Sequence, residues 1–328
     1  MKILIIGNED RYRKYMPDLD IVKEIEMVFC PRGSDDDHLL RAASDADAVA
    51  IDPMAILSGN VIRQMPKLKI IQSEGVGFNG IDCKAASEQG VYVCNCKGAN
   101  AGAVAEQTIL LMLALLRKMI VGDRTERAGK QIEMKERMMV EGIAELGDYK
   151  IGLIGFGDIA KATAKRLEPF ECQTYYYSKN RKSPETEQEY RVSYLELDEL
   201  VRSCDMISIH CPVTPETTGM VNREFFNKMK PGAYIVNTAR GEMIDNEALF
   251  EAITSGRIGG AGLDTVAPEP TTSDNILLNL PEEYADRITF SPHIGGITTS
   301  YFRRAHRKNW TNIAIALKGG QPDHIVNG

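Results

Sequence analysis

Three side chains with complementary chemistry each follow a short apolar run in the second half of the chain. They are Arg240 after residues 233–237, Glu269 after residues 259–263, and His293 after residues 288–290. A guanidinium binds a carboxylate through two parallel hydrogen bonds. An imidazole transfers protons near neutral pH, and a neighbouring carboxylate orients the ring and favours its protonated form. The set predicts a site that holds an anion and donates a proton, although each residue alone also suits an ordinary loop or surface position.

A glycine-rich loop has the pattern of a nucleotide-binding site. It follows an apolar run and consists of Gly155, Phe156, Gly157, Asp158, Ile159 and Ala160. Gly155 permits a tight turn, Gly157 lets the backbone approach a pyrophosphate, and Ala160 allows the next helix to pack closely on the strand. The phosphates would bind the free N–H groups at the start of that helix. A second apolar run at 173–177 favours a dinucleotide site over a merely structural turn.

The residue after this second run bears on the choice of cofactor. NAD-specific sites place an acid there to bind the ribose, whereas this chain has Ser178, followed by Lys179, Arg181 and Lys182. A carboxylate repels a 2′-phosphate, and a hydroxyl with nearby cations can hold one. The sequence therefore predicts NADP(H) or NAD(H) as cofactor, with NADP(H) preferred. The alternative is that these cations face solvent and the site uses both.

Short β-branched runs alternate with helical patterns, which predicts an α/β protein with parallel strands. In the first third, strands are expected at 2–6, 26–29, 48–51, 70–73 and 91–94. A second set is expected at 151–154, 173–177, 206–210, 233–237, 259–263 and 288–290.

Several helices are indicated between and after these strands. Ser193 and Glu196 have the spacing of a capping box, and Asp245 precedes a helical pattern that stops at 255–256. Three longer helices are expected: a buried connection between two domains at 99–118, a solvated or partner-facing helix at 123–137, and a last helix at 300–317 that returns to the first domain.

Arg240, Glu269 and His293 would then lie at the carboxyl edge of the sheet that carries the glycine loop, where open α/β sheets bind ligands. Hydride transfer to a keto carbon leaves negative charge on its oxygen, so His293 would donate a proton while Arg240 holds the acid group. Asp264 is expected on the nicotinamide side. The other histidines are expected to pack near the cofactor (His210), on helix surfaces (His38 and His306) and in the tail (His324).

Length and composition limit the class of protein. With 328 residues the chain is long enough for two domains. A net charge of −7 argues against a nucleic acid or an anionic membrane as partner. Seven scattered cysteines without a CxxC pair favour free thiols in a reducing compartment over disulfides or a metal site. The apolar stretch 109–116 is too short to span a bilayer and no signal-peptide pattern begins the chain, so we expect a cytoplasmic protein.

The motifs occur together, in one order, over most of the chain. They are Ser73-EGVGFNGID, Gly98-ANAGAVAEQT, Gly152-LIGFGDIA, His210-CPVTPETTGM, Asn237-TARGEMID, Asp264-TVAPEP and Ser291-PHIGG. Through them the sequence resembles the D-isomer-specific 2-hydroxyacid dehydrogenase family, which includes glyoxylate/hydroxypyruvate reductases, D-lactate dehydrogenases and phosphoglycerate dehydrogenases.

The resemblance implies two Rossmann-like domains with an interdomain cleft. A flavodoxin-like substrate domain would comprise 1–98 plus 297–328, and an NAD(P)-binding Rossmann domain 99–296, through which a homodimer would form. The implied catalytic residues are Arg240, Glu269 and His293. The implied substrate-binding residues are Val76, Gly77, Asn100, Arg240 and His293. Expected cofactor contacts are Gly155, Phe156, Gly157, Asp158, Ile159, Ser178, Lys179, Arg181, His210, Cys211, Pro212, Thr238, Ala239, Asp264 and Gly295.

The function so implied is an NAD(P)-dependent reductase of a small 2-oxo acid such as glyoxylate or hydroxypyruvate. A D-3-phosphoglycerate dehydrogenase-like enzyme is the alternative. Two features argue against it: related phosphoglycerate dehydrogenases often carry a cation where Ser73 and Glu74 stand, and no regulatory domain is expected in this chain. Glu269 stands where formate dehydrogenases of this fold have Gln. A nicotinamide-sensing corepressor-like binding protein is the alternative from another class, and the intact Arg–Glu–His set argues against it.

Overall fold

The computed structural model describes residues 1–328, which divide into two compact units. The first unit comprises Met1–Asn100 and Ile297–Gly328, and the second comprises Ala101–Gly296. Each unit is built on its own sheet, and every pair of neighbouring strands in both sheets is parallel.

The first unit begins with five strands and five short helices. The strands are β1 (Lys2–Ile6), β2 (Glu26–Cys30), β3 (Ala48–Ile51), β4 (Ile70–Ser73) and β5 (Tyr92–Cys94). The helices are α1 (Glu9–Tyr15), α2 (Asp20–Lys23), α3 (Asp36–Ala43), α4 (Gly59–Arg63) and α5 (Cys83–Glu88). The strand order β2-β1-β3-β4-β5 is that of flavodoxin-like sheets, as predicted. Strand β3 and residues 3–6 of β1 are apolar and buried because helices cover both faces of the sheet.

The second unit contains the longer sheet. Its strands are β6 (Lys150–Ile154), β7 (Gln173–Tyr177), β8 (Val192–Tyr194), β9 (Met206–Ile209), β10 (Tyr234–Asn237), β11 (Gly260–Leu263) and β12 (Ile288–Phe290). Its helices are α6 (Ala101–Leu116), α7 (Met119–Arg127), α8 (Gln131–Glu141), α9 (Asp158–Leu167), α10 (Pro184–Tyr190), α11 (Leu197–Ser203), α12 (Arg223–Lys228), α13 (Asn246–Thr254) and α14 (Glu282–Ala285). Single 3₁₀ turns occur at Leu146–Asp148, Glu168–Phe170, Gly241–Met243 and Ile276–Asn279.

The strand order β12-β11-β10-β9-β6-β7-β8 is that of a dinucleotide-binding sheet extended by one strand. The connections reverse direction between β6 and β9, which makes that crevice the expected ligand position. Strands β10, β11 and β12 are neighbours, so the loops that follow them leave the same edge of the sheet.

The last helix, α15 (Thr299–Leu317), belongs to the first unit. Its side chains Trp310 and Ile313 are buried in one cluster with Ile3 and Ile5 of β1. None of the helices in the protein combines the length and the apolar character needed to cross a membrane.

Two local predictions need correction. Ser193 lies inside β8, where it pairs with Tyr175, so the predicted capping box is wrong. Helix α11 begins after Glu196, which makes no side-chain capping bond. A three-residue edge strand is too short to show a hydrophobic period, and the capping-box spacing of Ser193 and Glu196 was coincidental.

The predicted charged helix is two helices, α7 and α8. They are separated near Gly129, whose φ of 71° ends helix α7. By contrast, Asp245 caps α13 as expected.

Candidate active site

His293 and Glu269 form a hydrogen-bonded pair at the carboxyl edge of the second sheet. Nδ1 of His293 lies 2.9 Å and 3.0 Å from the two carboxylate oxygens of Glu269. Because a carboxylate only accepts, Nδ1 carries the hydrogen and Nε2 points away from this contact. The imidazole is 41% exposed and can therefore reach a ligand.

Asp264 holds the loop that carries the imidazole. Its Oδ1 accepts from the N–H of Ile294 at 3.0 Å and from the hydroxyl of Ser291, and its Oδ2 accepts from the N–H of Gly295 at 2.9 Å. The N–H of His293 donates to the carbonyl oxygen of Asp264 at 2.8 Å. The backbone of His293 has a φ of 53°, a conformation that these bonds maintain. Asp264 is thus an organiser of the loop, and its contact with a nicotinamide stays a prediction.

Arg240 extends from the loop after β10. The buried side chain of Asn237 fixes this loop, because its amide donates to the carbonyl oxygen of Arg240 at 2.8 Å and its oxygen accepts from the N–H of Ala239 at 3.0 Å. Gly241 packs directly on the backbone of Val266, so the loops after β10 and β11 touch. The guanidinium donates to the carbonyl oxygen of Ala239 at 2.7 Å and pairs with no carboxylate of the chain. It is exposed and available for an anion.

The glycine loop fits a dinucleotide pyrophosphate. Gly155 has a φ of 92°, and a Cβ there would lie 2.7 Å from the backbone nitrogen of Cys211, so only glycine suits the position. A Cβ at Gly157 would meet nothing within 4 Å, which leaves space beside the backbone. Gly157 also begins α9 without any side-chain cap, so the first N–H groups of this helix are free for phosphate oxygens. Ala160 is fully buried against the sheet.

The segment after β9 lines the other side of the crevice at β6. Nε2 of His210 lies 2.9 Å from the hydroxyl of buried Ser208. Burial lowers the pKa of His210 to about 3, so this imidazole is neutral at any working pH and does not serve as a proton donor. Burial likewise raises the pKa of the Cys211 thiol to about 11. Both side chains fit a packing role beside a cofactor.

The residues after β7 are only partly as expected. The hydroxyl of Ser178 donates to the carbonyl oxygen of Asn180 at 2.6 Å. Arg181 forms two hydrogen bonds with Glu187, at 2.8 Å and 2.9 Å, and its guanidinium lies 5.3 Å from the ring centre of Tyr194. Lys179 is exposed. The expectation that Arg181 is free to bind a cofactor is therefore weakened by its internal partner.

In the first unit, the loop 73–77 presents two backbone donors. Every backbone N–H and C=O of residues 74–77 is hydrogen-bonded within the unit except the N–H groups of Val76 and Gly77. The partners are the carbonyl oxygen of Ile51, the hydroxyls of Ser73 and Tyr301, the N–H of Cys96 and the side chain of Asn95. Successive backbone N–H groups without an internal partner are donors of the kind that bind anions. Asn100 is half-buried just before α6.

Sequence reasoning missed several supporting residues. Asn95 and Asn237 fix loops by hydrogen bonds to their backbones; Asn95 lies outside every motif, and Asn237 begins a motif but had no expected role of its own. His306 was expected on a helix surface but is fully buried, where it contacts Glu74. The helical period of α15 could have shown this, because His306 lies on the same stripe as Trp310 and Ile313.

Comparisons with known proteins identify the family. The family profile described as "D-isomer specific 2-hydroxyacid dehydrogenase, NAD binding domain" matches residues 109–295. The protein is accordingly a nicotinamide-dependent oxidoreductase. More particularly, the chain belongs to the D-isomer-specific 2-hydroxyacid dehydrogenase family.

The relatives span nearly the whole chain. A glyoxylate reductase of Thermofilum pendens is 34% identical over 95% of this chain and 91% of its own length. A hydroxypyruvate reductase of Thermotoga maritima is 36% identical over 90% of this chain and 94% of its own length. The NAD-complexed D-isomer specific 2-hydroxyacid dehydrogenase of Lactobacillus delbrueckii ssp. bulgaricus aligns with a TM-score of 0.81 at 25% identity, over 99% of this chain and 100% of that one. A D-3-phosphoglycerate dehydrogenase of Mycobacterium tuberculosis is also similar (34% identity over 90% of this chain), but only 54% of its length is matched.

Proposed function

We propose that this protein reduces a small 2-oxo acid, glyoxylate or hydroxypyruvate, to the D-2-hydroxy acid. The observation that carries the proposal is the pair formed by His293 and Glu269, at the sheet edge that also carries the free guanidinium of Arg240. When bound, the reduced nicotinamide supplies the hydride to the keto carbon. The residues of the chain then have to bind the acid group and supply a proton.

Each of the three side chains has one task. Nδ1 of His293 is bound to Glu269, so Nε2 of the imidazolium donates the proton to the substrate oxygen as negative charge develops there. Glu269 orients the ring and stabilises its positive charge. Arg240 holds the substrate carboxylate with two N–H groups and so fixes the keto carbon in position.

Further carboxylate-binding groups are proposed in the loop 73–77. The unpaired N–H groups of Val76 and Gly77 suit a carboxylate oxygen, and we assign them, with Asn100, to the substrate. For the cofactor we assign Gly157 and the first turn of α9 to the pyrophosphate. Phe156, Asp158, Ile159, His210, Cys211, Pro212, Thr238, Ala239, Asp264 and Gly295 are its other proposed neighbours.

The site is proposed to accept NADPH as well as NADH, with NADPH preferred. What supports this is the absence of a carboxylate directly after β7, together with exposed Lys179. Ser178 can accept but its hydrogen is engaged, and Arg181 is held by Glu187, so Lys179 is the cation best placed to meet a 2′-phosphate.

A homodimer through the cofactor-binding unit is proposed from an apolar surface. Helix α8 buries none of its residues, yet it carries Ile132, Met139 and Val140, which are 61%, 76% and 89% exposed. Adjacent α7 adds exposed Met119 and Ile120. Contiguous apolar surface of this kind is typical of protein interfaces.

Binding of the alternative substrate, 3-phosphoglycerate, would need a free cation in the first unit to pair with its phosphate. Glu74, which stands where related phosphoglycerate dehydrogenases often carry a cation, is buried and turned toward Arg11, so it neither repels nor binds a ligand directly. Arg11 is already paired with Glu74 and Asp52. No free cation of this cluster is therefore left for a phosphate, which favours glyoxylate or hydroxypyruvate.

A matrix of substrates and cofactors tests the proposal. Glyoxylate, hydroxypyruvate, pyruvate and 3-phosphohydroxypyruvate are each assayed with NADH and NADPH. We expect turnover of the first two, a higher kcat/KM with NADPH, and a loss of about 10²–10⁴-fold in kcat for His293→Ala. His38→Ala, an exposed histidine, is the matched control. Cofactor binding without turnover would support the corepressor-like alternative, and a strong NADH preference would overturn the cofactor assignment.

A further inference from the structure

A mostly buried cluster of charged and polar side chains is centred on Glu74 of the loop 73–77. Its members are Arg11, Asp52, Glu74 and His306. The side chains of Glu74 and His306 are only 2% and 0% exposed. Nη2 of Arg11 pairs with Glu74 and lies 2.9 Å from Asp52, while Nε2 of His306 lies 2.6 Å from Glu74. Burying such groups is costly, and apolar side chains of similar volume often serve stability equally well.

The cluster is connected to the loop through a single residue. Glu74 follows the last residue of β4, and α15 holds it at two points: His306 binds its carboxylate, and the hydroxyl of Tyr301 donates to its carbonyl oxygen at 2.9 Å. The next residue, Gly75, has no room for a side chain, because a Cβ there would lie 2.7 Å from Pro53. The path of the backbone into Val76 is therefore fixed on both sides.

The hydrogen bonds of His306 fix the direction of one N–H group. Its Nδ1 is buried and has no partner, so a hydrogen there would be an unsatisfied donor. A carboxylate only accepts, which places the hydrogen on Nε2. His306 thus provides one N–H of fixed direction, and the rings of Tyr12 and Tyr15 pack beside it with centres 4.9 Å and 6.0 Å away.

We propose that Glu74, Tyr301 and His306 are positioning residues for substrate binding. By fixing Glu74, helix α15 aims the unpaired N–H groups of Val76 and Gly77 so that they bind the substrate carboxylate. The inference rests on the proposed function for its substrate. The three residues themselves touch neither substrate nor cofactor, and they act through the backbone of 75–77.

Substitutions at His306 separate this role from mere packing. The amide nitrogen of Gln reaches about as far as Nε2 of histidine, whereas the shorter Asn ends near Nδ1. We expect His306→Asn to raise the KM for glyoxylate about tenfold or more, with kcat and the KM for the coenzyme changed by less than about threefold. His306→Gln should remain within about threefold of the wild type. The matched control is His38→Asn, the same change at an exposed position.

Tyr301→Phe provides a second variant, which removes one hydroxyl and keeps the buried ring. It is expected to raise the same KM by several fold. Amide hydrogen exchange of a peptide covering 74–78 should be faster in His306→Asn and Tyr301→Phe than in the wild type, with a peptide covering 151–155 unchanged.

The outcomes are distinct. A KM unchanged in both Tyr301→Phe and His306→Asn, or raised equally by Gln and Asn at position 306, would overturn the positioning role. If the wild type reduces no 2-oxo acid, the proposed function fails, and the exchange measurement still decides whether the cluster orders the loop. Unaltered exchange in both variants would refute the inference on its own.

Discussion

His293 keeps a backbone conformation that costs a non-glycine residue roughly 1–2 kcal/mol. The hydrogen bonds from its N–H to the carbonyl oxygens of Asp264 and Ser291, at 2.8 Å and 3.0 Å, oppose this cost. The strained backbone turns the imidazole toward Glu269 instead of away from it. At the scale of single residues, the proposed proton transfer depends on the carboxylate of Glu269. It binds Nδ1 of His293 and so leaves Nε2 to face the ligand.

Replacing Glu269 by Gln tests that dependence. The variant keeps size and hydrogen-bonding capacity but removes the negative charge that stabilises an imidazolium, so kcat for glyoxylate should fall by about 10²-fold while the KM changes little. Steady-state kinetics measure both quantities, with Glu282→Gln, an exposed glutamate, as control. A wild-type kcat in Glu269→Gln would show that the pair has no part in proton transfer.

At the scale of elements, the turn from β6 into α9 divides its tasks between two glycines. Gly155 lets the turn pass the backbone of His210 and Cys211, and Gly157 leaves space next to the free N–H groups of α9. Gly155 thus serves the packing of β6 beside β9, the pair of strands at which the strand order reverses. Gly157 is the position that we assign to the pyrophosphate.

Alanine substitutions should separate these tasks. Gly155→Ala combines a φ of 92° with a backbone clash and should lower the free energy of unfolding by roughly 2–4 kcal/mol. Gly157→Ala should lower it by less than about 1 kcal/mol, yet weaken NADPH binding about tenfold or more, since its methyl group would occupy the space for the pyrophosphate.

Urea unfolding and fluorescence titration with NADPH measure the two effects. Gly232→Ala is the control, because its φ is 76° but a Cβ there meets nothing within 4 Å. Any loss of stability in Gly232→Ala is therefore due to backbone strain alone. Equal losses in Gly155→Ala and Gly232→Ala would contradict the proposed clash, and unchanged NADPH affinity in Gly157→Ala would contradict the pyrophosphate assignment.

For the whole molecule, the exposed apolar side chains of α7 and α8 are the feature that a single chain does not explain. None of the residues of α8 is buried within its own chain. A partner that covers Ile132, Met139 and Val140 would supply the missing burial.

Val140→Asp should therefore shift the protein from dimer to monomer at micromolar concentration, because a carboxylate would be buried without a partner in the interface. Multi-angle light scattering after size-exclusion chromatography measures the mass. Leu278→Asp places the same charge at another exposed position of the same unit, 45% exposed, and should leave the mass unchanged. A monomeric wild type would rule out the dimer, and a dimeric Val140→Asp variant would move the interface elsewhere.

Local patterns determined much of this protein. Buried parallel strands are mainly apolar, so their runs stand out, and the glycine loop has the pattern that the narrow steric demands of a pyrophosphate impose. Arg240, Glu269 and His293 could be placed at one edge because each directly follows a parallel strand. The edge strand β8 and the break between α7 and α8 were missed, since short or exposed segments carry little periodicity.

Only the tertiary structure decided which side chains meet. Arg181 was expected to be free, but Glu187 six residues later binds it. His306 lies 232 residues from Glu74 in sequence, and no local pattern reports a contact of that range. Propensity and periodicity act over a few residues, whereas the pairing of buried polar groups depends on how distant segments pack. The sequence by itself therefore determined the elements and the chemical types at the sheet edge, and packing determined which of those groups remain free to bind a ligand.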